Sequence, residues 1–109
     1  MGLTLTPTAS GMPDGPLAQT TVRLVNRRGL HARASAAFVK TAQDFDAHIE
    51  VVSHNGCGEE TVTADSIMEL LMLGSACGED ITIRAQGPEA QVAVASLAAL
   101  VKDGFGEGE

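Results

Sequence analysis

The chain has 109 residues, of which 44% are hydrophobic, and a formal net charge of −7 at pH 7. This length suits a single domain, and the negative charge argues against a protein that binds nucleic acid. No apolar run approaches the ~18 residues that a membrane-spanning helix needs. The first basic residue is Arg23, so the charged segment that opens a secretory signal is missing. We therefore expect one cytoplasmic domain.

The two cysteines, Cys57 and Cys77, are too few and too unpatterned for a disulfide scaffold or a zinc knuckle. A metal site built from His48, His54 and Cys57 is a less favoured alternative to ordinary turn residues of mixed type. The sequence therefore predicts neither a metal nor a cofactor.

The basic residues are concentrated in one part of an acidic chain. Residues 20–40 hold five of the seven lysines and arginines and none of the fourteen acidic residues. These five are Arg23, Arg27, Arg28, Arg33 and Lys40. Such a region attracts anionic ligands or acidic protein surfaces, although a solvated basic face is the alternative on charge alone.

The first elements follow a proline-rich segment. Residues 1–19 contain three of the four prolines and show no periodicity, which predicts a flexible N-terminal extension. From Thr20 the chain alternates, with Val22 and Leu24 on one face and Arg23 on the other, as a half-buried strand does. A helix is then predicted from its apolar stripe at spacings of four, four and three. That stripe consists of Ala34, Phe38, Ala42 and Phe45.

The middle of the chain predicts a hairpin and a short helix. Residues 48–64 form two alternating runs around Asn55 and Gly56, a turn pair typical of hairpins. Ser66 then opens a helix, since Glu69 follows it at the spacing of a capping box. Gly74 is suited to end that helix.

The C-terminal part predicts one more strand and one more helix. "DITIRA" alternates, with Ile81 and Ile83 facing the core. Pro88 is suited to the first position of the last helix, whose stripe is Val94, Leu97, Leu100 and Val101. The order β-α-β-β-α-β-α favours an α+β fold, one antiparallel sheet with helices on one face. Several families share this outline, including ferredoxin-like regulatory domains, so fold alone does not give function.

The stretch "GLHARAS" places His31 immediately before the predicted first helix. The backbone N–H groups of Ala32 and Arg33 then lack intrahelical acceptors and, with the helix dipole, favour an anion such as a phosphoryl group. The Arg33 guanidinium can add hydrogen bonds to phosphate oxygens, and a neutral imidazole is a nucleophile that accepts phosphoryl groups. On these residues alone, a histidine that is merely part of the surface remains an alternative.

The short helix is apolar nearly all round. Ile67, Leu70 and Leu73, at spacing i, i+3, i+6, predict its core side. Its outer side is then Met68, Leu71 and Met72. An exposed methionine-rich surface is adaptable and suits several partners, whereas a wholly buried helix is the alternative.

Three stretches of the sequence resemble one known family. "RGLHARAS", "AAFVKTAQDFDA" and "ADSIMELLMLGSACGEDITIRAQGPE" are similar to the HPr phosphocarriers of the bacterial phosphotransferase system. "FDA", "LLMLGSACG" and "GPE" are closer to its nitrogen-related branch, often called NPr. The resemblance covers residues 20–105 and leaves 106–109 as an acidic tail. It implies an open-faced β-sandwich, a four-stranded antiparallel sheet with three helices on one face.

The resemblance also implies a role for the histidine. His31 would be phosphorylated on Nδ1 by enzyme I, which draws on phosphoenolpyruvate, and would pass the phosphoryl group to a histidine of an enzyme IIA protein. Arg33 and the backbone amide of Ala32 would stabilise the phosphate. The protein would thus be a stoichiometric carrier, not an enzyme. The sequence departs from the family motif at Ala34, usually proline, and at Ser35, usually alanine.

The resemblance further implies regulation and partners. Ser66 corresponds to the serine phosphorylated in lineages that have an HPr kinase. The partner surface would be Ala36, Ile67, Met68, Leu71 and Met72. We expect a monomer that binds neither nucleic acid nor membrane. The main rival is a non-phosphorylated regulatory module that binds proteins through the Met68, Leu71 and Met72 surface; a ligand-binding ferredoxin-like domain is a weaker one.

Overall fold

A computed structural model describes residues 15–54, 59–73 and 75–106. The chain forms, in order, β1 (Leu17–Arg23), α1 (Ala32–Ala42), β2 (His48–Ser53), β3 (Glu60–Thr63), α2 (Ile67–Leu73), β4 (Asp80–Gln86) and α3 (Ala90–Lys102). A 3-10 turn over Gly104–Gly106 follows α3. This confirms the predicted order of strands and helices.

The four strands form one antiparallel sheet in the order β1-β4-β2-β3. Ile83 of β4 pairs with Thr20 on one side and with Val51 of β2 on the other. Helix α3 packs on β1 and β4, and α1 contacts both α2 and α3. The sheet thus has one face covered by three helices and one open face, which confirms the predicted open-faced sandwich.

The covered face encloses a core of aliphatic side chains around Phe38, which is fully buried. Ala34 and Ala42 are buried with it, which confirms three of the four residues of the predicted stripe. Phe45 packs partly against the core but lies in the turn after α1, which ends at Ala42, so its place on the helix was predicted wrongly. Ile81 and Ile83 are also fully buried. Burial of each such large side chain contributes roughly 1.5–3 kcal/mol, and the shared core cluster holds α1 against the sheet.

Strand β1 begins earlier than the sequence predicts. Leu17 to Gln19 pair with residues 84–86 of β4, so the ordered domain does not start at Thr20. The difference arises because an edge strand is held by backbone hydrogen bonds, which need no apolar alternation. Residues 1–14 of the predicted extension lie outside the described residues.

Helix α3 begins later than the sequence predicts. Glu89 is its N-cap residue and Ala90 its first helical residue, so Pro88 precedes the helix. The Ala90 N–H instead closes a turn to the Gly87 carbonyl at 3.2 Å. The Glu89 carboxylate accepts a hydrogen bond from the backbone N–H of Asp46 at 2.7 Å, which ties this turn to the segment after α1.

Other predictions fall on residues outside the described ranges. They concern the Asn55-Gly56 turn, the Gly74 helix end, Cys57 and residues 107–109 of the predicted tail. Gly106, the first residue of that tail, belongs to the 3-10 turn.

The open face of the sheet carries a charged cluster centred on Glu50. Arg84 Nη2 donates to Glu50 Oε1 at 2.9 Å, and His48 Nε2 lies 3.2 Å from Glu50 Oε2. Partial burial raises the pKa of Glu50, but hydrogen bonds and charge from Arg84 and His48 outweigh it and hold this pKa below its ordinary value. The cluster joins β2 to the neighbouring β4.

Glu50→Gln is expected to lower the free energy of unfolding by about 0.5–1 kcal/mol at pH 7. Because the pKa of Glu50 is lower in the folded chain, its contribution is complete above the ordinary value of 4.5. It is lost as the pH falls through the folded-state pKa. Urea unfolding at pH 7 and at about pH 2.5 measures this difference. The exposed Glu60 supplies the control Glu60→Gln, and an equal loss at both pH values would contradict the assignment.

Candidate functional site

His31 is the N-cap residue of α1. Its backbone is extended, with φ −76° and ψ −179°, and its side chain turns back over the helix end. The backbone N–H of Arg33 donates to His31 Nδ1 at 3.3 Å. The Ser35 N–H donates to the His31 carbonyl at 2.8 Å. The Nδ1 lone pair therefore points at the N-terminus of α1.

This arrangement places a nucleophilic nitrogen where negative charge is favoured. The first N–H groups of a helix have no intrahelical acceptors and add to the positive end of the helix dipole. Because Nδ1 accepts the Arg33 hydrogen bond, it carries its lone pair and not a proton. His31 is partly exposed and Ala32 and Arg33 are exposed, so an incoming anion can reach both the ring and the amides.

The guanidinium of Arg33 supplies positive charge at the same place. Among the described residues, no carboxylate forms an ion pair with Arg33. Arg23, by contrast, donates to Asp80 at 3.0 Å, which raises the Arg23 pKa through the hydrogen bond and the charge of Asp80. Of the basic residues in the segment 20–40, Arg33 can therefore bind an anionic ligand, whereas Arg23 links two strands.

The loop before His31 is held by one local hydrogen bond and by one to a residue that is distant in sequence. Gly29 has φ +62°, and its carbonyl accepts from the buried Asn26 Nδ2 at 2.8 Å. The Leu30 N–H donates to the Ser75 carbonyl at 3.0 Å. Ser75 was missed from the sequence alone, because no local pattern connects it to His31.

Gly29→Ala is expected to destabilise the chain by at least about 2 kcal/mol, since a left-handed backbone strains any Cβ. That Cβ would also lie 2.5 Å from the Ser75 carbonyl oxygen. Urea unfolding measures the loss. Gly78→Ala is a matched control, because Gly78 also has positive φ (+91°) but nothing lies within 4 Å of its added Cβ. Equal losses for both variants would contradict the Ser75 contact as a cause.

The start of α2 is capped by Ser66. The Glu69 N–H donates to Ser66 Oγ at 3.2 Å, which confirms the predicted cap. The reciprocal arm of the capping box does not close on Ser66. The Glu69 carboxylate instead accepts from the Thr63 N–H at 3.1 Å, because the turn after β3 brings that donor within reach.

The outer side of α2 is an exposed apolar surface, here called the docking patch: Ile67, Met68, Leu71 and Met72. Met68 is 67% exposed and Met72 78%, whereas Leu70 and Leu73 are buried. A wholly buried α2 is therefore excluded. The assignment of Ile67 to the core side is wrong, since Ile67 is 39% exposed. It is the first residue of the helix and lies about one turn before the buried Leu70.

Ala36 lies on α1, and α1 contacts α2. Ala36 is partly buried, one turn of α1 after Ala32. His31 thus caps the start of a helix that packs against α2, the helix that carries the exposed apolar surface.

Residues 18–103 match the family model described as the PTS HPr component phosphorylation site. The chain belongs to the HPr phosphocarrier family. It is accordingly a phosphocarrier of the phosphotransferase system, which confirms the resemblance drawn from the three sequence stretches, and family members act together with other components of that system.

HPr relatives from several bacteria match most of the chain. The phosphocarrier protein HPr of Cupriavidus necator is 39% identical over 93 residues, 85% of this chain and 100% of the relative. The phosphocarrier protein NPr of Escherichia coli is 41% identical over 87 residues, 80% of this chain and 93% of the relative. A crystal structure of HPr from Thermoanaerobacter tengcongensis superposes with a TM-score of 0.75 at 36% identity, covering 83% and 97% of the two chains.

A larger relative contains the same kind of segment. The multiphosphoryl transfer protein of Vibrio cholerae is 37% identical over 97 residues, which are 88% of this chain but 24% of that protein. An HPr-like sequence therefore also occurs within a longer phosphoryl transfer protein.

In residues 15–54, 59–73 and 75–106, no three His, Cys, Asp or Glu side chains are grouped so as to hold a metal ion. His48 bonds Glu50, and His54 Nε2 lies 2.7 Å from Thr82 Oγ1. None of the helices in these ranges is long and apolar enough to span a bilayer.

Proposed function

We propose that His31 carries the phosphoryl group on Nδ1, taking it from phospho-enzyme I and passing it to a histidine of an enzyme IIA protein. The observation that carries this proposal is the 3.3 Å contact between His31 Nδ1 and the Arg33 N–H. It aims the lone pair of one ring nitrogen at the helix end that best accommodates an anion.

The transfer exchanges one nitrogen–phosphorus bond for another. The Nδ1 lone pair of His31 attacks the phosphorus of the donor phosphohistidine, and the donor imidazole leaves with the electron pair of the broken bond. The Arg33 N–H loses its acceptor on the ring and donates to a phosphoryl oxygen instead. The Ala32 amide and the Arg33 guanidinium supply further donors. No proton has to be removed, so the site needs no general base.

A carrier of this kind must hold its phosphoryl group only moderately. Because the bonds formed and broken are of one type, the equilibrium depends on how strongly each site stabilises the phosphoryl group. At His31 the phosphoryl group would interact with exposed amides and one exposed guanidinium. Because these groups lie in an environment of high dielectric constant, the attraction is modest. The second transfer, to enzyme IIA, then remains accessible. The protein acts as a stoichiometric carrier and supplies no separate catalytic group.

The docking patch serves both partners in turn. Methionine side chains adapt to different surfaces, which suits a monomer that binds enzyme I and then an enzyme IIA. The basic stretch around His31 favours partners with acidic surfaces there. Phosphoenolpyruvate is a cytoplasmic metabolite, so we place the carrier in the cytoplasm.

Phosphorylation by purified components tests the proposal. The carrier is incubated with phosphoenolpyruvate, magnesium and enzyme I, and one equivalent of acid-labile, base-stable phosphate per chain is expected. Addition of an enzyme IIA should discharge it. A chain that takes up no phosphate but still binds enzyme IIA would instead be a non-phosphorylated regulatory module.

Ser66 is proposed as a regulatory site for an HPr kinase. Its hydroxyl caps α2 directly before the docking patch. A phosphate there would accept the same Glu69 N–H but would be repelled by the Glu69 carboxylate. The phosphate would add negative charge at the edge of the apolar surface. We therefore expect it to weaken partner binding and to leave the fold intact.

Ser66→Asp is expected to raise the KM of enzyme I for the carrier about tenfold with little change in kcat, because charge at an interface edge disfavours docking. Steady-state phosphorylation kinetics measure both constants. Ser66→Asn is the matched control, since asparagine also caps a helix but is neutral. Equal KM values for the two variants would contradict an effect of charge.

A further inference from the structure

Ser35 is a fully buried polar residue in the first turn of α1. Its hydroxyl donates to the Leu30 carbonyl at 3.1 Å, and its backbone N–H donates to the His31 carbonyl at 2.8 Å. The second bond is the i to i−4 backbone bond that opens α1 and does not depend on the side chain, so the contribution specific to serine is the bond to the Leu30 carbonyl.

These two bonds fix the peptide planes that flank the histidine. The Leu30 carbonyl belongs to the peptide bond that enters His31, and the His31 carbonyl to the one that leaves it. With both planes held, φ and ψ of His31 are restrained, and with them the position of the ring relative to the Arg33 N–H. We infer that Ser35 is a positioning residue, which keeps His31 Nδ1 aimed at the helix end. This inference rests on the proposed function of His31.

The residue before Ser35, Ala34, leaves the first turn of α1 less restrained than a proline would. Position 34 is alanine, whereas the family motif usually has proline there and alanine at position 35. Proline fixes φ and stiffens the first turn of a helix. Alanine leaves this turn less restrained, and the Ser35 hydroxyl ties it back to Leu30. A proline ring at position 34 would restrain the same turn, so we expect it to substitute for the Ser35 hydrogen bond.

A double-mutant cycle tests the inference with Ser35→Ala, Ala34→Pro and the double variant. Ser35→Ala is expected to lower kcat for phosphorylation by enzyme I by roughly tenfold, since small misplacements of reacting groups slow transfer strongly. KM should stay unchanged because the docking patch is intact. Ala34→Pro alone should have little effect, and the double variant should recover to within roughly twofold of the unaltered chain.

Two further measurements separate positioning from stability. Thr82→Val removes a buried hydroxyl that bonds Thr21 on the open face, and this control should lower Tm without changing kcat. In Ser35→Ala, hydrogen exchange of the Arg33 amide should accelerate and should slow again in the double variant. An unchanged kcat in folded Ser35→Ala, or no recovery in the folded double variant, would overturn the inference.

The experiments distinguish failure of the proposed function of His31 from failure of the inference about Ser35. If the unaltered chain takes up no phosphate, the proposed function of His31 is wrong. The hydrogen-exchange rates of the Arg33 amide still show whether Ser35 orders the start of α1.

Discussion

His31→Ala is expected to abolish phosphorylation by enzyme I while leaving the fold intact. Its imidazole is partly exposed and supplies the only atom to which the phosphoryl group is transferred in the proposed reaction. Loss of the side chain removes one long N-cap hydrogen bond, which costs about 1 kcal/mol of stability. Labelling from phosphoenolpyruvate, followed by acid and base treatment, measures the phosphohistidine formed.

Two variants make this result specific. His48→Ala removes another partly exposed histidine, one that bonds Glu50 on the open face, and should be labelled like the unaltered chain. Arg33→Ala should still be labelled but about 10 to 100 times more slowly, because it loses a charged donor to the phosphoryl group. Equal labelling of His31→Ala would refute the phosphocarrier role of this residue.

The parts of the fold that are predictable from sequence are those with a local cause. Phe38 and its stripe define a helix because 3.6-residue periodicity is a property of one segment. Ile81 and Ile83 define a buried strand face in the same way, by alternation. Ser66 predicts a helix start, because the side-chain acceptor of an N-cap and the backbone N–H that it binds lie within three residues of each other. In each case a few neighbouring residues contain the necessary pattern.

The parts that escape prediction depend on distant residues. The Leu30–Ser75 hydrogen bond and the conformation of Gly29 depend on the contact between two loops. The sequence of neither loop predicts that the two will meet. Glu69 matches the capping-box spacing, yet its carboxylate binds Thr63 because tertiary structure offers a nearer donor. Ser35 differs again, because its contact to Leu30 is local but depends on a serine rotamer inside a helix.

The same division holds at the candidate site. The chemistry of His31 and Arg33 depends on residue type and on a helix beginning at Ala32, and both are visible in the sequence. Which ring nitrogen faces the amides depends on the side-chain rotamer at an N-cap. The structure supplies that detail through the contact between His31 Nδ1 and the Arg33 N–H.

Charge introduced into the docking patch is expected to raise the KM of enzyme I for the carrier about a hundredfold with little change in kcat. The variant is the pair Met68→Glu and Met72→Glu. Burial of two carboxylates against an apolar partner surface is costly, and hot-spot losses of this size are typical of central interface residues. Both methionines are exposed in the free chain, whereas Leu70 and Leu73 keep α2 on the core, so the fold should persist.

A matched variant separates the docking patch from the effect of charge on the whole chain. Val92 on α3 is also an exposed apolar residue, at 48%, and Val92→Glu combined with Gln91→Glu adds the same two charges elsewhere on the surface. This control should leave KM within about twofold of the original value, since exposed charges beyond a Debye length are screened. Chemical phosphorylation with phosphoramidate bypasses enzyme I and should label His31 equally in both variants. Equal KM increases in both would show that net charge, and not an apolar surface on α2, governs docking.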